Sequence, residues 1–357
     1  MKRDLRSMDL DDLQLVMAQL GQPKFRAKQL FQWLHQKMID DSTRMHNLGQ
    51  ELLETLADGY EVKPLVIQQR QKSQDGTEKF LLQLSDGEYI ECVLMRYRGD
   101  RSKQRNTLCI SSQVGCAMGC TFCATGQEGL VRNLSVGEIV GQVYTINHIL
   151  ADEGEELSIG NIVFMGMGEP LLNFENVMKA IRILNDQNGL HIGIRRITVS
   201  TCGVVPQIKA LADLKLDLVL AISLHAPNNI LRSYIMPINQ RYGLDALKEA
   251  CLYYQQCTAN RISFEYALIK DFNDQSIHVQ QLVRLLNGLD YHLNVIPVKP
   301  VANTAQITKP DQLAIREFMD KLKKAGIKAS IREEKGKDID GACGQLRGKR
   351  LANKNQQ

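Results

Sequence analysis

Cys116, Cys120 and Cys123 are spaced Cys-x3-Cys-x2-Cys within Leu-Cys-Ile-Ser-Ser-Gln-Val-Gly-Cys-Ala-Met-Gly-Cys-Thr-Phe-Cys-Ala-Thr-Gly, residues 108 to 126 of a 357-residue chain. Three thiolates on one tight loop can grip a metal centre but cannot complete a structural zinc site, which takes four protein ligands. An iron-sulfur cluster held by three cysteines keeps one iron open to bind something else, and chemistry can happen there. Two other readings use the same residues: a zinc knuckle completed by Cys109 or His148, and buried cysteines that do nothing but pack. No second Cys-x2-Cys pair occurs, and Phe122 sits between two of the cysteines. Another cysteine, Cys343, lies in Asp-Ile-Asp-Gly-Ala-Cys-Gly-Gln-Leu, residues 338 to 346. Its small neighbours leave the sulfur accessible to a large partner.

Loops of this kind need a scaffold. From residue 107 onward, apolar runs at 107 to 111, 161 to 166, 195 to 201, 217 to 224, 261 to 269 and 293 to 298 alternate with helical stretches. Ser135 to Leu150 opens on the capping box Ser135-Val-Gly-Glu138, and Pro310 to Ala325 is closed by Gly326. Six such units imply a parallel sheet curled into a partial barrel. Functional loops then follow the C-terminal ends of the strands. The cysteine loop follows the first run, Gly166-Met-Gly-Glu-Pro170 the second, Ser200-Thr-Cys-Gly203 the third and Ser223-Leu-His225 the fourth, so all share one rim. Gly166 and Gly168 let backbone approach a ligand, and Glu169 offers a carboxylate to an ammonium group. Cys202, Cys251 and Cys257 read as core. Upstream, period-2 patterning over 62 to 97, with turns at Ser73 to Gly76 and Ser85 to Gly87, predicts three hairpin strands. In the third, Tyr89, Glu91 and Val93 share one face and Ile90, Cys92 and Leu94 the other; by pattern alone Glu91 is an exposed strand glutamate. Residues 9 to 60 read as helices, including Phe25 to Met38 and Leu48 to Leu56, a small unit carrying Lys24, Arg26, Lys28 and Lys37 outward. It is either a packing appendage or an RNA contact.

Cys-Ala-Met-Gly-Cys-Thr-Phe-Cys resembles the signature of radical S-adenosylmethionine (SAM) enzymes. Together with Gly-Met-Gly-Glu-Pro, Ser-Leu-His-Ala-Pro at 223 to 227 and the Cys343 segment, the chain resembles the RlmN/Cfr family of RNA adenine methyltransferases over residues 85 to 347. The resemblance implies an α/β fold, a partial (β/α)6 barrel with a small N-terminal helical domain and a β-hairpin extension. The divisions are 1–62 helical, 63–101 strand extension, 102–333 barrel and 334–357 a C-terminal segment with a basic tail. It implies one 4Fe-4S cluster on Cys116, Cys120 and Cys123, and SAM held by Gly168, Glu169, Ser200, Ser223, Leu224 and His225. Lys299 stands where the family usually has asparagine; lysine cannot accept a hydrogen bond, so that SAM contact is rearranged or lost. It implies that Cys343 carries a methyl group, that Cys109 releases product through a disulfide, and that Glu91 accepts a proton. The implied reaction is methylation of adenine carbon 2 in protein-free or immature 23S rRNA and in tRNA, with two SAM per turnover and a one-electron reductant such as flavodoxin or ferredoxin. Pro170, where the carbon-8 branch more often has alanine, favours carbon 2. Carbon-8 methylation, or a non-catalytic metal-stabilised RNA-binding protein, are the alternatives.

Composition sets the outer limits. With 44% hydrophobic and 24% charged residues the chain is ordinary and globular. No run approaches the roughly 18 apolar residues of a membrane span, and the charged start is not a signal peptide, so a cytoplasmic monomer is expected. Nine cysteines without a repeating framework suit a reducing compartment. Residues 96 to 105 hold five Lys or Arg (Arg96, Arg98, Arg101, Lys103, Arg105) against Asp100, and residues 321 to 357 hold eleven against four acids. Such patches can hold a phosphate backbone; a solvated basic tail is the other account of the C-terminus.

Overall fold

The structure is a computed structural model that describes residues 2–100, 104–299, 307–341 and 344–346. Strands β1 (Arg3–Asp4) and β2 (Tyr60–Glu61) pair with each other. They bracket helices α1 (Leu10–Gln19), α2 (Phe25–His35) and α3 (Gln50–Gly59). β3 (Val66–Lys72), β4 (Glu78–Gln83), β5 (Tyr89–Tyr97) and β6 (Arg105–Cys109) then run antiparallel as a meander. After β6 come the short hairpin β7 (Gln113–Gly115) and β8 (Leu130–Asn133), with α4 (Ala124–Gln127) inside it, and then α5 (Val136–Asp152). The alternating part follows: β9 (Ile159–Phe164), α6 (Phe174–Asn185), β10 (Ile197–Thr201), α7 (Val205–Asp213), β11 (Val219–Ser223), α8 (Asn229–Ile235), α9 (Ile238–Arg241) and α10 (Leu244–Thr258). β12 (Ile262–Leu268), α11 (Ser276–Leu286), β13 (Tyr291–Pro297), α12 (Gln312–Lys324) and β14 (Ala329–Ile331) complete it.

Among the described residues one 10-stranded sheet runs in the order β14-β13-β12-β11-β10-β9-β6-β5-β4-β3. The six expected strands are present, parallel and in chain order, and β14 adds a short parallel edge. The hairpin extension continues the same sheet through β5 and β6 rather than forming a separate layer. On β10, Ile197, Val199 and Thr201 are buried while Thr198 and Ser200 are half-buried. Apolar side chains therefore pack against the helices and the alternate polar ones face the barrel interior.

α5 starts as its sequence requires: the Glu138 N–H donates to Ser135 Oγ (3.2 Å) and the Ser135 N–H to Glu138 Oε2 (2.8 Å). The N-terminal helices dock on this helix. The Gly137 N–H donates to Ser7 Oγ at 2.9 Å, and a Cβ at Gly137 would lie 1.9 Å from Asp4 Oδ2, so the approach needs glycine. α2 ends at His35, short of the expected Met38. The chain turns instead because tertiary bonds outbid the helix: Met38, at φ 58°, presents its carbonyl to Arg6 Nη2 (3.3 Å) and His148 Nε2 (3.0 Å).

The basic run at 96 to 105 also departs from expectation. Arg96, with a side chain 10% exposed, donates to Glu155 Oε1 (2.7 Å) and to Glu78 Oε1 (2.8 Å), and Arg98 donates to Glu155 Oε2 (2.6 Å). Arg96 is thus neutralised inside the fold and cannot join the expected phosphate-binding patch, whereas Arg98 is exposed and shares Glu155 at the surface. Arg101, Lys103 and the tail from 347 lie outside the described residues. Arg105 stacks 4.1 Å over the Tyr97 ring.

Candidate active site

The cysteine loop is fixed by bonds to three other segments. The Cys116 N–H donates to the Gly129 carbonyl (2.8 Å), and Gly115, at φ +73°, admits that contact because a Cβ there would meet Gly129 O at 2.0 Å. The Thr121 N–H donates to Ile235 O at the end of α8 (3.0 Å), and the Ala124 N–H donates to Gly344 O (2.7 Å). Thr125 Oγ1 donates to Leu346 O at 2.6 Å. Cys116, Cys120 and Cys123 all line one cleft.

The opposite walls come from the strand ends. Gly168, Glu169, Ser200, Ser223 and His225 line the same cleft, so the structure gathers motifs from three strand ends opposite the cysteines. Gly168 (φ +102°) presses on Gln113, where a Cβ would sit 2.6 Å from Gln113 Cβ. Glu169 is buried; its carboxylate accepts the N–H groups of Leu171 (3.0 Å) and Cys202 (2.7 Å), while burial raises its pKa. His225 sits at φ 56°, a conformation that costs about 1–3 kcal/mol for a non-glycine residue. Its N–H donates to Glu265 O (3.1 Å), its carbonyl accepts from Asn273 Nδ2 (2.8 Å) and its Nδ1 accepts the Ala267 N–H (2.9 Å). Burial drives its pKa down to about 3, so the ring is neutral and carries its proton on Nε2. The Phe122 ring meets it edge-on at 4.8 Å.

Other expected residues lie elsewhere. The Leu224 side chain is in the apolar core, its N–H donating to Glu265 O and its carbonyl accepting from Arg232, and it does not line the cleft. Lys299 Nζ donates to Lys337 O at 2.9 Å, outside the cleft lining. Cys109 and Glu91 share one face of the neighbouring sheet: Cys109 pairs with Val93, two residues from Glu91. Glu91 is 4% exposed, not the surface glutamate its pattern suggests, and it pairs with Lys79 at 3.3 Å. β5 lies inside the sheet, and the segment before Cys343 covers it, with Lys79 Nζ donating to Asp340 O (3.4 Å). Cys343 itself lies outside the described residues; Gly344, next to it, lines the cleft.

Several cleft residues escaped the sequence reading. Cys202, expected in the core, lines the cleft with its Sγ 3.9 Å from that of Cys120. Glu265 and Arg332 pair at 3.1 Å in its wall, and Asn294 Nδ2 donates to Glu265 Oε1 (2.8 Å). The available signal was a pair of polar residues at alternate positions of an otherwise apolar strand, Ser263 and Glu265 on β12.

The donor set fits an iron-sulfur cluster. Three thiols of one loop open onto one cleft, and burial pushes the Cys116 thiol up to about 12, so metal binding must displace its proton. Neither fourth ligand that the zinc reading names reaches the cleft: His148 bonds the Met38 carbonyl and Cys109 is absent from the lining. Family models match at residues 110–286 (Radical SAM superfamily) and 3–62 (ribosomal RNA large subunit methyltransferase N-terminal domain). A protein of Lachnospira eligens named probable dual-specificity RNA methyltransferase RlmN is 47% identical over 349 residues, covering 97% of this chain and 96% of the relative. The chain belongs to the RlmN/Cfr family of radical SAM methyltransferases. A relative of the same name from Staphylococcus saprophyticus is 46% identical, covering 98% of this chain and 93% of that protein. The crystal structure of a radical SAM methyltransferase from Sphaerobacter thermophilus superposes with TM-score 0.90 at 42% identity, over 97% of this chain and 100% of that one. Family membership implies SAM and a 4Fe-4S cluster, and the cleft brings together the three thiols that would hold the cluster. Among the described residues no helix is long and apolar enough to cross a membrane.

Proposed function

We propose that this enzyme methylates carbon 2 of an adenine in 23S rRNA and tRNA, with Cys343 as methyl carrier and two SAM per turnover. The observation that carries this is the bond from the Ala124 N–H, one residue after Cys123, to the carbonyl of Gly344, one residue after Cys343. It ties the backbone beside the methyl-carrying residue to the loop that would hold the cluster. The relatives' names supply the RNA substrates and the dual specificity. Adenine carbon 2 lies between two ring nitrogens and is electron-poor, so it cannot attack a sulfonium methyl as an amine would. When bound, the cluster and SAM, with an electron from flavodoxin or ferredoxin, supply a deoxyadenosyl radical able to take hydrogen from a methyl group.

The chain's residues do the rest. Cys343 takes its methyl by thiolate displacement on SAM, forming the sulfur–carbon bond as the thioether leaves. Glu91, held by Lys79, accepts the proton that the adenine adduct must lose. The Cys109 thiolate then attacks the Cys343 sulfur, the sulfur–carbon bond breaks with its electron pair left on the methylene carbon, which takes a proton to become the product's methyl group, and external thiols reduce the resulting disulfide. The Glu169 carboxylate and the neutral His225 ring, both in the cleft lining, orient SAM.

Cys343→Ala should be inert. Cys109→Ala should methylate Cys343, attack RNA and stall as a protein–RNA crosslink that ribonuclease trims to one modified peptide. Normal turnover by Cys109→Ala would remove it from the mechanism, and a crosslink on another sulfur would overturn the role of Cys343. Nucleoside mass spectrometry of RNA treated with the reconstituted enzyme should give 2-methyladenosine; 8-methyladenosine would reassign the carbon.

A further inference from the structure

Arg232, on α8, is 0% exposed. Its guanidinium donates to four acceptors: Leu224 O (3.1 Å), Ser223 O (3.1 Å), Cys202 O (2.6 Å) and Asn239 Oδ1 (3.0 Å). All four are neutral. No carboxylate among the described residues forms an ion pair with it; burial lowers its pKa, and the ionisable groups that oppose this are the thiols of Cys202, Cys120 and Cys251. Arginine keeps its proton at neutral pH, and a buried charge is costly unless an opposite charge answers it. The hydrogen bonds satisfy the donors but leave the net charge uncompensated.

We infer that Arg232 is the buried counter-charge of the metal cluster, stabilising the cluster-loaded fold and raising the cluster's reduction potential. This rests on the assignment of Cys116, Cys120 and Cys123 as ligands of a 4Fe-4S cluster. The path is short: the guanidinium holds the Cys202 carbonyl, and Cys202 Sγ is 3.9 Å from Cys120 Sγ. The helix that carries Arg232 also receives the Thr121 N–H of the cysteine loop. Arg232 is not part of the cleft lining, so it acts through the protein wall, as a positioning residue in the electrostatic sense. Three thiolates give the assembled centre a net negative charge, and reduction adds one more electron. A fixed cation in a low-dielectric interior favours the more negative form. No proton or ligand is exchanged by Arg232; it only shifts the equilibrium of an electron transfer that the reductant performs.

A clamp that merely ties the ends of β10 and β11 together would need the hydrogen bonds but not the charge, and charge can be varied separately. Arg232→Lys keeps the cation and loses most of the bonds, Arg232→Met loses both, and Arg232→Gln keeps donors without charge. Each protein is reconstituted anaerobically with iron and sulfide, its iron content measured, and its cluster titrated with reductant under electron paramagnetic resonance without SAM or RNA. Arg232→Met and Arg232→Gln should titrate at more negative potential than wild type, with Arg232→Lys close to wild type. Reconstitution should also raise the melting temperature less in the two uncharged variants than in wild type or Arg232→Lys. An unchanged potential in an uncharged variant with full iron content would overturn the inference. So would equal shifts in Arg232→Lys and Arg232→Met, or loss of the apoprotein fold in all three variants, each of which marks a clamp. Wild-type protein that binds no 4Fe-4S cluster would instead overturn the ligand assignment, whatever the variants do.

Discussion

Two arginines buried in this molecule live under opposite arrangements. Arg96, on β5, lies among carboxylates that the chain itself provides: Glu78, whose side chain is fully buried, with Glu153 and Glu155 arriving from the end of α5. Arg232, beneath the cleft, is surrounded by carbonyls, an amide and thiols. Both satisfy their donors, but only the first is neutralised by the fold. A buried charge with its counter-ion built in serves the architecture, whereas one whose counter-ion is left out leaves a field for something that binds. The same contrast separates the clustered arginines that looked like an RNA patch from the single one that drew no notice.

The sharpest break of this contrast is at the cleft. Cys116→Ala, Cys120→Ala and Cys123→Ala should each abolish iron binding on anaerobic reconstitution while leaving the protein folded, and Cys202→Ala should keep it. A full cluster in any of the first three would remove that ligand from the assignment. On the architectural side, Glu78→Gln takes the shared anion from Arg96 and Arg70. Unfolding in urea should show a loss of about 3 kcal/mol, as for one partner removed from a buried pair; a loss below about 1 kcal/mol, typical of surface pairs, would mean the network is solvated.

Buried histidines extend the comparison to pH. Burial holds His35 and His225 down to about 3 from an ordinary 6.5, and the cations Arg6 and Arg232 push the same way. The folded state resists protonation that the unfolded chain accepts, so stability is full above pH 6.5 and falls on acidification toward pH 3. The slope is up to about 1.4 kcal/mol per pH unit for each ring. His35→Gln should flatten the decline between pH 6.5 and 5 relative to wild type; parallel curves would show that His35 titrates normally. The smallest effect belongs to the exposed lysines of the N-terminal helices. Lys24, Lys28 and Lys37 face solvent, and their joint replacement by glutamine should change stability by no more than about 0.5 kcal/mol. If they meet the phosphates of an RNA substrate, the logarithmic salt slope of RNA binding should fall by about 2. An unchanged slope would make this unit a packing appendage.

The cysteine spacing, the order of strands and helices and the common rim were all legible, because each follows from local pattern: period-2 and apolar runs, a capping box, glycines at forced turns. The capping box at Ser135 and the glycine after α12 work as written because their bonds close within a few residues. What escaped depends on contacts between residues far apart in the chain. Glu91 looked like a surface residue because alternation cannot tell a half-buried strand from one covered by a segment 249 residues later at Asp340. Cys202 looked like core because only the approach of β10 to the cysteine loop brings it 3.9 Å from Cys120. Arg96 and Arg232 are the same residue type, and no local pattern distinguishes them. Charge acts through space, so tertiary structure alone decided which arginine has carboxylates around it and which has none.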